Sequence, residues 1–570
     1  MKSSTRIRII AVLVILFCAG LFVRLFFLQV VKKQYYRDQA DRQYFRPLAG
    51  SFDRGTIYLR SKDGGLVAAA TTREGYTIAI NPKVISNATT TYEKLSGYFA
   101  QAGRPLDKEL FFQKAAKKSD PYEEISTRAD KGLADLASSV SKREVLVSKE
   151  RWRYYPASTT AAHALGLLGY LGEDYSGRYG LEKSYNDVLS RNKEQSFANF
   201  FAEIYRGLAS AATSSDRAQG DIVLTIEPTV QKYLEAELLK TTQKYSPEMA
   251  GGIVMDPQTG AIYALAAWPN FNPGEKVTDL SVLPNLLVEG RYELGSIVKA
   301  LTMATGLDSG AVRATTTYND KGCLTLNKKL FCNYDGKARG VVGMQEVLNQ
   351  SLNLGATFVE QRVGKEKFKQ YFAAFGLGTK TGIDLPGEVS GSLATLGNDQ
   401  DVEFATASFG QGISLTPMAM ARALATLGNG GYLVQPHLVQ EIRYTTGLKK
   451  VITPPLGPQV IATATSREIT RMLSIVVDTK LANGKAKLPH TTIAAKTGTA
   501  QYVDPTTKKY YPDRYLHSFF GYFPAYEPRF LVFLMIKHPR GVEYASETLT
   551  EPFLEMSKFL LSYYQVPPDR

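Results

Sequence analysis

Residues 293–307 read ELGSIVKALTMATGL, and the tetrad Ser296-Ile297-Val298-Lys299 within this stretch governs how the rest of the chain is read. The apolar residues after it recur at helical spacing. Residues three apart on a helix share one face, so Lys299 is expected beside the Ser296 hydroxyl. A serine needs a base to become a nucleophile, and a desolvated lysine that has lost its proton can serve. The free lysine pKa of about 10.4 must then be lowered by burial or by a neighbouring cation. Alone, such a tetrad arises by chance in most chains of this length.

Two further clusters lie downstream, 55 and 200 residues after Ser296. Ser351-Leu352-Asn353 sits inside MQEVLNQSLNLGATFVEQRVG, where Ser351 would relay a proton and Asn353 would hold a substrate amide; a polar helix surface or cap is the plainer alternative. Lys496-Thr497-Gly498-Thr499 follows the apolar run TTIAA. A strand that presents lysine beside glycine suits an anionic substrate, because glycine admits the substrate backbone and lysine attracts its carboxylate. Each cluster is weak by itself, and an exposed turn would explain the third. The case rests on all three standing in order, with Lys496 as a candidate cationic neighbour of Lys299.

Around these clusters the chain shows an alternation of strand and helix signals. DIVLTIE (221–227) reads as a strand, and PTVQKYLEAELLKTTQKY (228–245) as a helix with proline in its first turn, where no N–H is lost. GGIVMDPQTG and AIYALAAW form a hairpin by their turn residues Asp256, Pro257 and Gly260, and residues 517–538 repeat the pattern before a final helix from about Pro552. This order predicts an α+β domain over 221–570, an antiparallel sheet with helices on both faces. Residues 31–220 mix β-rich pieces such as GYTIAINP with helical ones such as DKELFFQKAAKK, and the polar stretch 192–220 reads as a junction. At 570 residues, two or more domains are expected.

Residues 9–23, IIAVLVILFCAGLFV, carry no charge, and apolar character resumes beyond Arg24, giving a span over 9–30 long enough to cross a bilayer as a helix. Lys2, Arg6 and Arg8 place residues 1–8 in the cytoplasm by the positive-inside rule. No small-residue cleavage site follows, so an uncleaved anchor is expected, with the remainder outside the cytoplasm. The net charge of +14 suits an anionic membrane surface; no basic run or nucleic-acid motif concentrates it, so nucleic acid is not expected as a partner. Cys18, Cys323 and Cys332 are too few for a zinc cluster, and an extracytoplasmic bridge between Cys323 and Cys332 is plausible. The histidines 163, 437, 490, 517 and 538 lack ligand spacing, so neither metal nor organic cofactor is expected.

With the motifs S-x-x-K, S-x-N and K-T-G in this order, the chain resembles the class B penicillin-binding proteins, close to the septal division transpeptidases. MDPQTGAIYALAAWPNFNPG, FGLGTKTGIDLPGE, SFGQGISLTPMAMARALATLGNGG and KTGTAQY look like that family's connecting motifs, and RGTIY (54–58) and GLEKSY (180–185) resemble its pedestal, or dimerisation-like, domain. Three positions depart from the family pattern: Leu294 and Ala300, where prolines flank the motif, and Leu59, where the pedestal motif continues into aspartate.

The resemblance implies a serine D,D-transpeptidase that cross-links peptidoglycan stem peptides through an acyl-Ser296 intermediate and binds β-lactams covalently. It implies Lys299 as base and Ser351 as proton relay. Lys496, Thr497 and Thr499 would hold the substrate carboxylate, and the backbone N–H groups of Ser296 and Thr499 would form the oxyanion hole. It further implies a membrane glycosyltransferase and divisome proteins as partners. A β-lactamase would be about half as long, and a non-enzymatic scaffold would survive Ser296→Ala. FGQGISLT favours a septal role, whereas the Cys323/Cys332 pair also suits an elongation-specific one.

Overall fold

The computed structural model describes residues 24, 52–172, 174–191, 219–504, 506, 507 and 509–570. The expected anchor (9–30), cytoplasmic tail (1–8) and most of the junction (192–218) lie outside the described residues. Among the described residues no helix is long and apolar enough to cross a membrane.

The first part of the chain is built on β1 (Ile57–Arg60) and the 15-residue β2 (Leu66–Ile80), which pair antiparallel. Helices α1 (Ala88–Gln101), α2 (Lys108–Ala115) and α3 (Lys131–Val140) each start where a side chain caps the first turn: Asn87 accepts from Thr90 N, Asp107 from Leu110 N and Asp130 from Leu133 N. The strands β3 (Glu123–Ala129) and β4 (Val145–Tyr154) flank the far half of β2. Ile78, Ile80, Leu95, Phe99, Phe111 and Leu133 close a separate small core there.

The next strand, β5 (Gly220–Leu224), pairs in parallel with β1, Ile57 opposite Ile222. Its other edge takes β8 (Val439–Tyr444), which in turn pairs with β9 (Lys449–Val451). One sheet, in the order β9-β8-β5-β1-β2-β3 with β4 also on β2, therefore joins segments from both sides of residue 220. Two elements of the RGTIY and GLEKSY motifs meet beside it. Glu182, fully buried, takes Arg54 Nε and Arg153 Nε on its two carboxylate oxygens at 2.6 Å each. Leu59, where the family pattern has aspartate, is 2% exposed in the main core.

The second sheet is antiparallel throughout. Before it comes α4 (Pro228–Tyr245), with Pro228 in its first turn and Glu227 capping Val230 N. Strands β6 (Met249–Met255) and β7 (Ile262–Trp268) form the first hairpin, and β10 (Ala494–Val503), β11 (Tyr510–Phe523) and β12 (Phe530–Lys537) complete the order β10-β11-β12-β6-β7. Strand β12 is apolar along nearly its whole length because both faces are covered. Leu531, Phe533 and Met535 point into one core with Leu301 of α5 (Val298–Asp308), Met420 of α7 (Pro417–Ala425) and Leu473 of α8 (Thr463–Thr479). Val532, Leu534 and Ile536 point into the other, with Leu234 of α4 and Phe553 of α9 (Thr550–Tyr563). Burial of each such side chain contributes about 1.5 to 3 kcal/mol. Helix α6 (Asn353–Val363) packs beside α5 and completes the frame around the site.

Candidate active site

Ser296 lies in a tight turn of 3-10 geometry, Gly295–Ile297, that runs directly into α5. Residues three apart nearly eclipse one another in such a turn. Lys299 Nζ accordingly sits 3.0 Å from Ser296 Oγ. Lys299 is 1% exposed, and its nitrogen also reaches the Ser351 carbonyl at 2.6 Å and the Ser351 hydroxyl at 3.2 Å. No carboxylate is among these partners. Burial first, and the charge of Lys496 second, hold its ammonium well below the usual lysine range.

Ser351 is not inside a continuous helix. It stands between Met344–Asn349 and α6 with φ of +54°, an uncommon conformation for a residue with a side chain, which turns its hydroxyl toward both lysines. Lys496, on β10 and 3% exposed, donates to Ser351 Oγ and to the Thr497 carbonyl, each at 3.0 Å. Burial pushes its ammonium down to about 7.

The turn carrying Ser296 and the strand carrying Lys496 are pressed together through glycine. A Cβ on Gly498 would stand 2.4 Å from Ser518 Oγ and 2.7 Å from the Leu294 carbonyl. Gly295, at φ +64°, would bring a Cβ within 2.8 Å of the Thr499 carbonyl. Ser518 Oγ donates to the Leu294 carbonyl at 2.8 Å, tying β11 to the residue before the turn. Leu294 is fully buried, so an apolar side chain fills the place where the family pattern has proline.

Thr497 and Thr499 are half-buried on β10, and Thr499 Oγ1 accepts from Ala545 N at 3.0 Å. Strand β10 ends the sheet, and among the described residues its outer edge, beside Ser296, has no neighbouring strand. An extended peptide can add to such an edge by main-chain hydrogen bonds.

Asn353 opens α6 and donates through Nδ2 to the Cys332 carbonyl at 2.8 Å. Cys332 is joined to Cys323 by a disulfide across the hairpin of Cys323–Leu326 and Lys329–Cys332. Asn333 accepts from Leu354 N at 3.2 Å and donates to both Asp320 carboxylate oxygens at 3.0 and 2.9 Å, so the hairpin is fixed to the start of α6.

Ser296, Lys299, Ser351 and Lys496 thus converge directly and Gly498 and Thr499 border the Ser296 turn, while Thr497 follows Lys496 on β10 and Asn353 gives its amide to the Cys332 carbonyl. Three contributors were not singled out from sequence: Ser518, the Cys332 carbonyl, and Phe409, whose ring centre lies 6.0 Å from Lys299 Nζ. Phe409 belongs to SFGQGISLT, a stretch whose family likeness offered the one available signal. Among the described residues no cluster of His, Cys, Asp or Glu has the arrangement of a metal site.

Comparison with known proteins identifies the family of the chain. Residues 250–556 match the family described as "Penicillin binding protein transpeptidase domain" and residues 51–200 the "Penicillin-binding Protein dimerisation domain". The chain is 29% identical over 566 residues to Stage V sporulation protein D of Bacillus subtilis, covering 97% of this chain and 85% of that one. It is 28% identical over 475 residues to the probable peptidoglycan D,D-transpeptidase FtsI of Caulobacter vibrioides, covering 82% and 73%. In fold it is similar to penicillin-binding protein 2X of Streptococcus thermophilus, with a TM-score of 0.73, 20% identity and coverage of 91% and 81%. With its transpeptidase domain matched over more than half its length and a dimerisation domain before it, this chain belongs to the class B penicillin-binding proteins.

Proposed function

We propose that this protein is a peptidoglycan D,D-transpeptidase in which Ser296 is the nucleophile and Lys299 its base. The observation that carries the reading is the 3.0 Å approach of a buried lysine amine, without a carboxylate partner among the described residues, to the Ser296 hydroxyl. A neutral amine there accepts the Ser296 proton as Oγ attacks the penultimate D-Ala carbonyl. Ser351 Oγ, within reach of both lysines, passes the proton to the departing D-Ala. The backbone N–H groups of Ser296 and Thr499 receive the developing oxyanion, each such donor being worth about 3 kcal/mol. Lys496, Thr497 and Thr499 hold the terminal carboxylate, and Asn353 the peptide amide. An amine of a second stem then takes the acyl group and releases Ser296.

β-Lactams acylate the same serine. The uncharged run at residues 9–23 and the preceding basic residues support a single-pass anchor in the cytoplasmic membrane, N-terminus inside and catalytic domain outside. A septal role, with a membrane glycosyltransferase and divisome proteins as partners, is supported by the resemblance to FtsI-type relatives. Covalent labelling with a fluorescent penicillin tests the chemistry. A persistent adduct on the intact protein and none on Ser296→Ala is expected; rapid turnover of the adduct points instead to a β-lactamase, and no labelling of either refutes the nucleophile.

A further inference from the structure

The acylated serine needs a second substrate, a primary amine, which at neutral pH arrives as an ammonium ion. Glu293, three residues before Ser296, is half-buried. The intervening peptide units span at most about 11 Å. Its backbone is pinned on both sides: Tyr292 exchanges hydrogen bonds with Leu415 at 2.9 and 2.8 Å, and Gly295 N donates to the Gly410 carbonyl at 3.3 Å. The main chain at Glu293 is therefore held against residues 410–415, next to Phe409, whose ring centre lies 6.0 Å from Lys299 Nζ.

Its partners are all neutral. Tyr510 OH, from the start of β11, donates to the two carboxylate oxygens at 3.1 and 2.9 Å, and the Gly412 backbone N–H also reaches it. The nearby Glu403 differs, with the Lys329 ammonium at 3.8 Å. Among the ion pairs of the described residues none involves Glu293. A half-buried carboxylate met, among the described residues, by neutral donors keeps its charge uncompensated, and a cation that reaches it gains more than it would in bulk water.

We propose that Glu293 is the acceptor subsite: it binds the primary ammonium of the second stem peptide and takes the first proton from it. The assignment rests on the acyl-Ser296 reading above. The ammonium R–NH3+ gives one proton to Glu293, leaving R–NH2. The amine nitrogen attacks the acyl carbonyl and forms the new C–N bond. The second nitrogen proton passes through Lys299 to Ser296 Oγ as the ester C–O bond breaks. The products are the amide, free Ser296 and neutral Glu293, which then returns its proton to solvent. Burial raises the Glu293 carboxyl above its ordinary value, which makes it a stronger base than an exposed glutamate.

The test uses the full-length protein, a thioester donor peptide and D-alanine as the acceptor, and measures the ratio of aminolysis to hydrolysis against D-alanine concentration. Penicillin acylation is measured in parallel. Glu293→Gln is expected to acylate within about threefold of the parent while its aminolysis-to-hydrolysis ratio falls at least tenfold. Tyr510→Phe, which keeps the carboxylate and removes its competing donor, is expected to half-saturate at a several-fold lower D-alanine concentration. An unchanged ratio in Glu293→Gln overturns the assignment, as does a loss of acylation in the same proportion as aminolysis. Should Glu293→Gln not fold, an unchanged half-saturation in Tyr510→Phe overturns it. Failure of the parent protein to acylate at all refutes the nucleophile assignment instead.

Discussion

Lys299 and Lys496 converge on a single hydroxyl, with Ser351 Oγ 3.2 Å from the first amine and 3.0 Å from the second. Two buried lysines sharing one neutral partner cannot both be comfortably charged. Each proton is disfavoured by burial, and the charge on Lys496 lowers the affinity of Lys299 for its own.

The first prediction concerns pH. With Lys299 as the proposed base, the acylation rate is expected to fall as pH drops through the Lys299 pKa. Lys496→Met removes the neighbouring charge, raises the Lys299 pKa and moves this acid limb to higher pH. Stopped-flow acylation by penicillin across about pH 5 to 10, below the free lysine value of about 10.4, reads the limb directly; a limb in the same place as the parent's refutes the coupling. The stability effect has a defined sign. With a folded value of about 7 against 10.5 unfolded, Lys496 binds more protons in the unfolded chain between those values. Stability from this group therefore grows as pH rises from about 7 toward 10.5, and the melting temperature of Lys496→Met should depend less on pH in that window.

Ser351 offers a clean separation of hydroxyl from backbone. At φ +54° a glycine is at ease, so Ser351→Gly keeps the turn and removes only the relay. Transpeptidation is expected to fall by about 100-fold, within the range for a lost proton-transfer group. The thermal midpoint is expected to stay near that of the parent, and a near-normal turnover rate would exclude the relay.

Gly498→Ala should act through its neighbours. Its Cβ falls 2.4 Å from Ser518 Oγ and 2.7 Å from the Leu294 carbonyl, so the Ser296 turn must move away from β10. A displacement of about 1 Å commonly costs about 100-fold in rate. Penicillin acylation rates measured beside the circular dichroism spectrum check this: slow acylation on an intact fold is expected.

Glu182 carries a stability prediction. Burial alone would raise its carboxyl, yet Arg153 and Arg54 hold it below the ordinary value. Its contribution is therefore present above the unfolded carboxylate range and lost as pH falls through the folded value. Glu182→Gln leaves two buried guanidiniums without their counter-charge and should cost about 3 to 5 kcal/mol in urea unfolding. An effect under about 1 kcal/mol would place the pair in the class of exposed ion pairs.

Much of this protein was legible in one dimension. The three motifs, standing in the order of the family that the chain resembles, pointed to Ser296, Lys299, Ser351, Asn353 and Lys496. The turn residues of 251–268 announced their hairpin, and the same pattern over 517–538 announced the second. Local hydrogen bonding and side-chain period dictate such features, and both are written in neighbouring residues.

What only the tertiary structure decided depends on residues far apart in the chain. Nothing local in DIVLTIE says that β5 pairs in parallel with β1, some 165 residues earlier, so that one sheet spans residue 220. The helical pattern around Ser351 hid the break at φ +54°, since the strain there is sustained by Lys299 and Lys496 reaching its hydroxyl from elsewhere. Asn353 meeting the Cys332 carbonyl, Ser518 holding Leu294, and Tyr510 donating to Glu293 across 217 residues follow the same rule. Sequence supplied the chemical groups; the free energy of burying both faces of the sheet set their distances, and hence the lowered proton affinity of Lys299 beside Ser296.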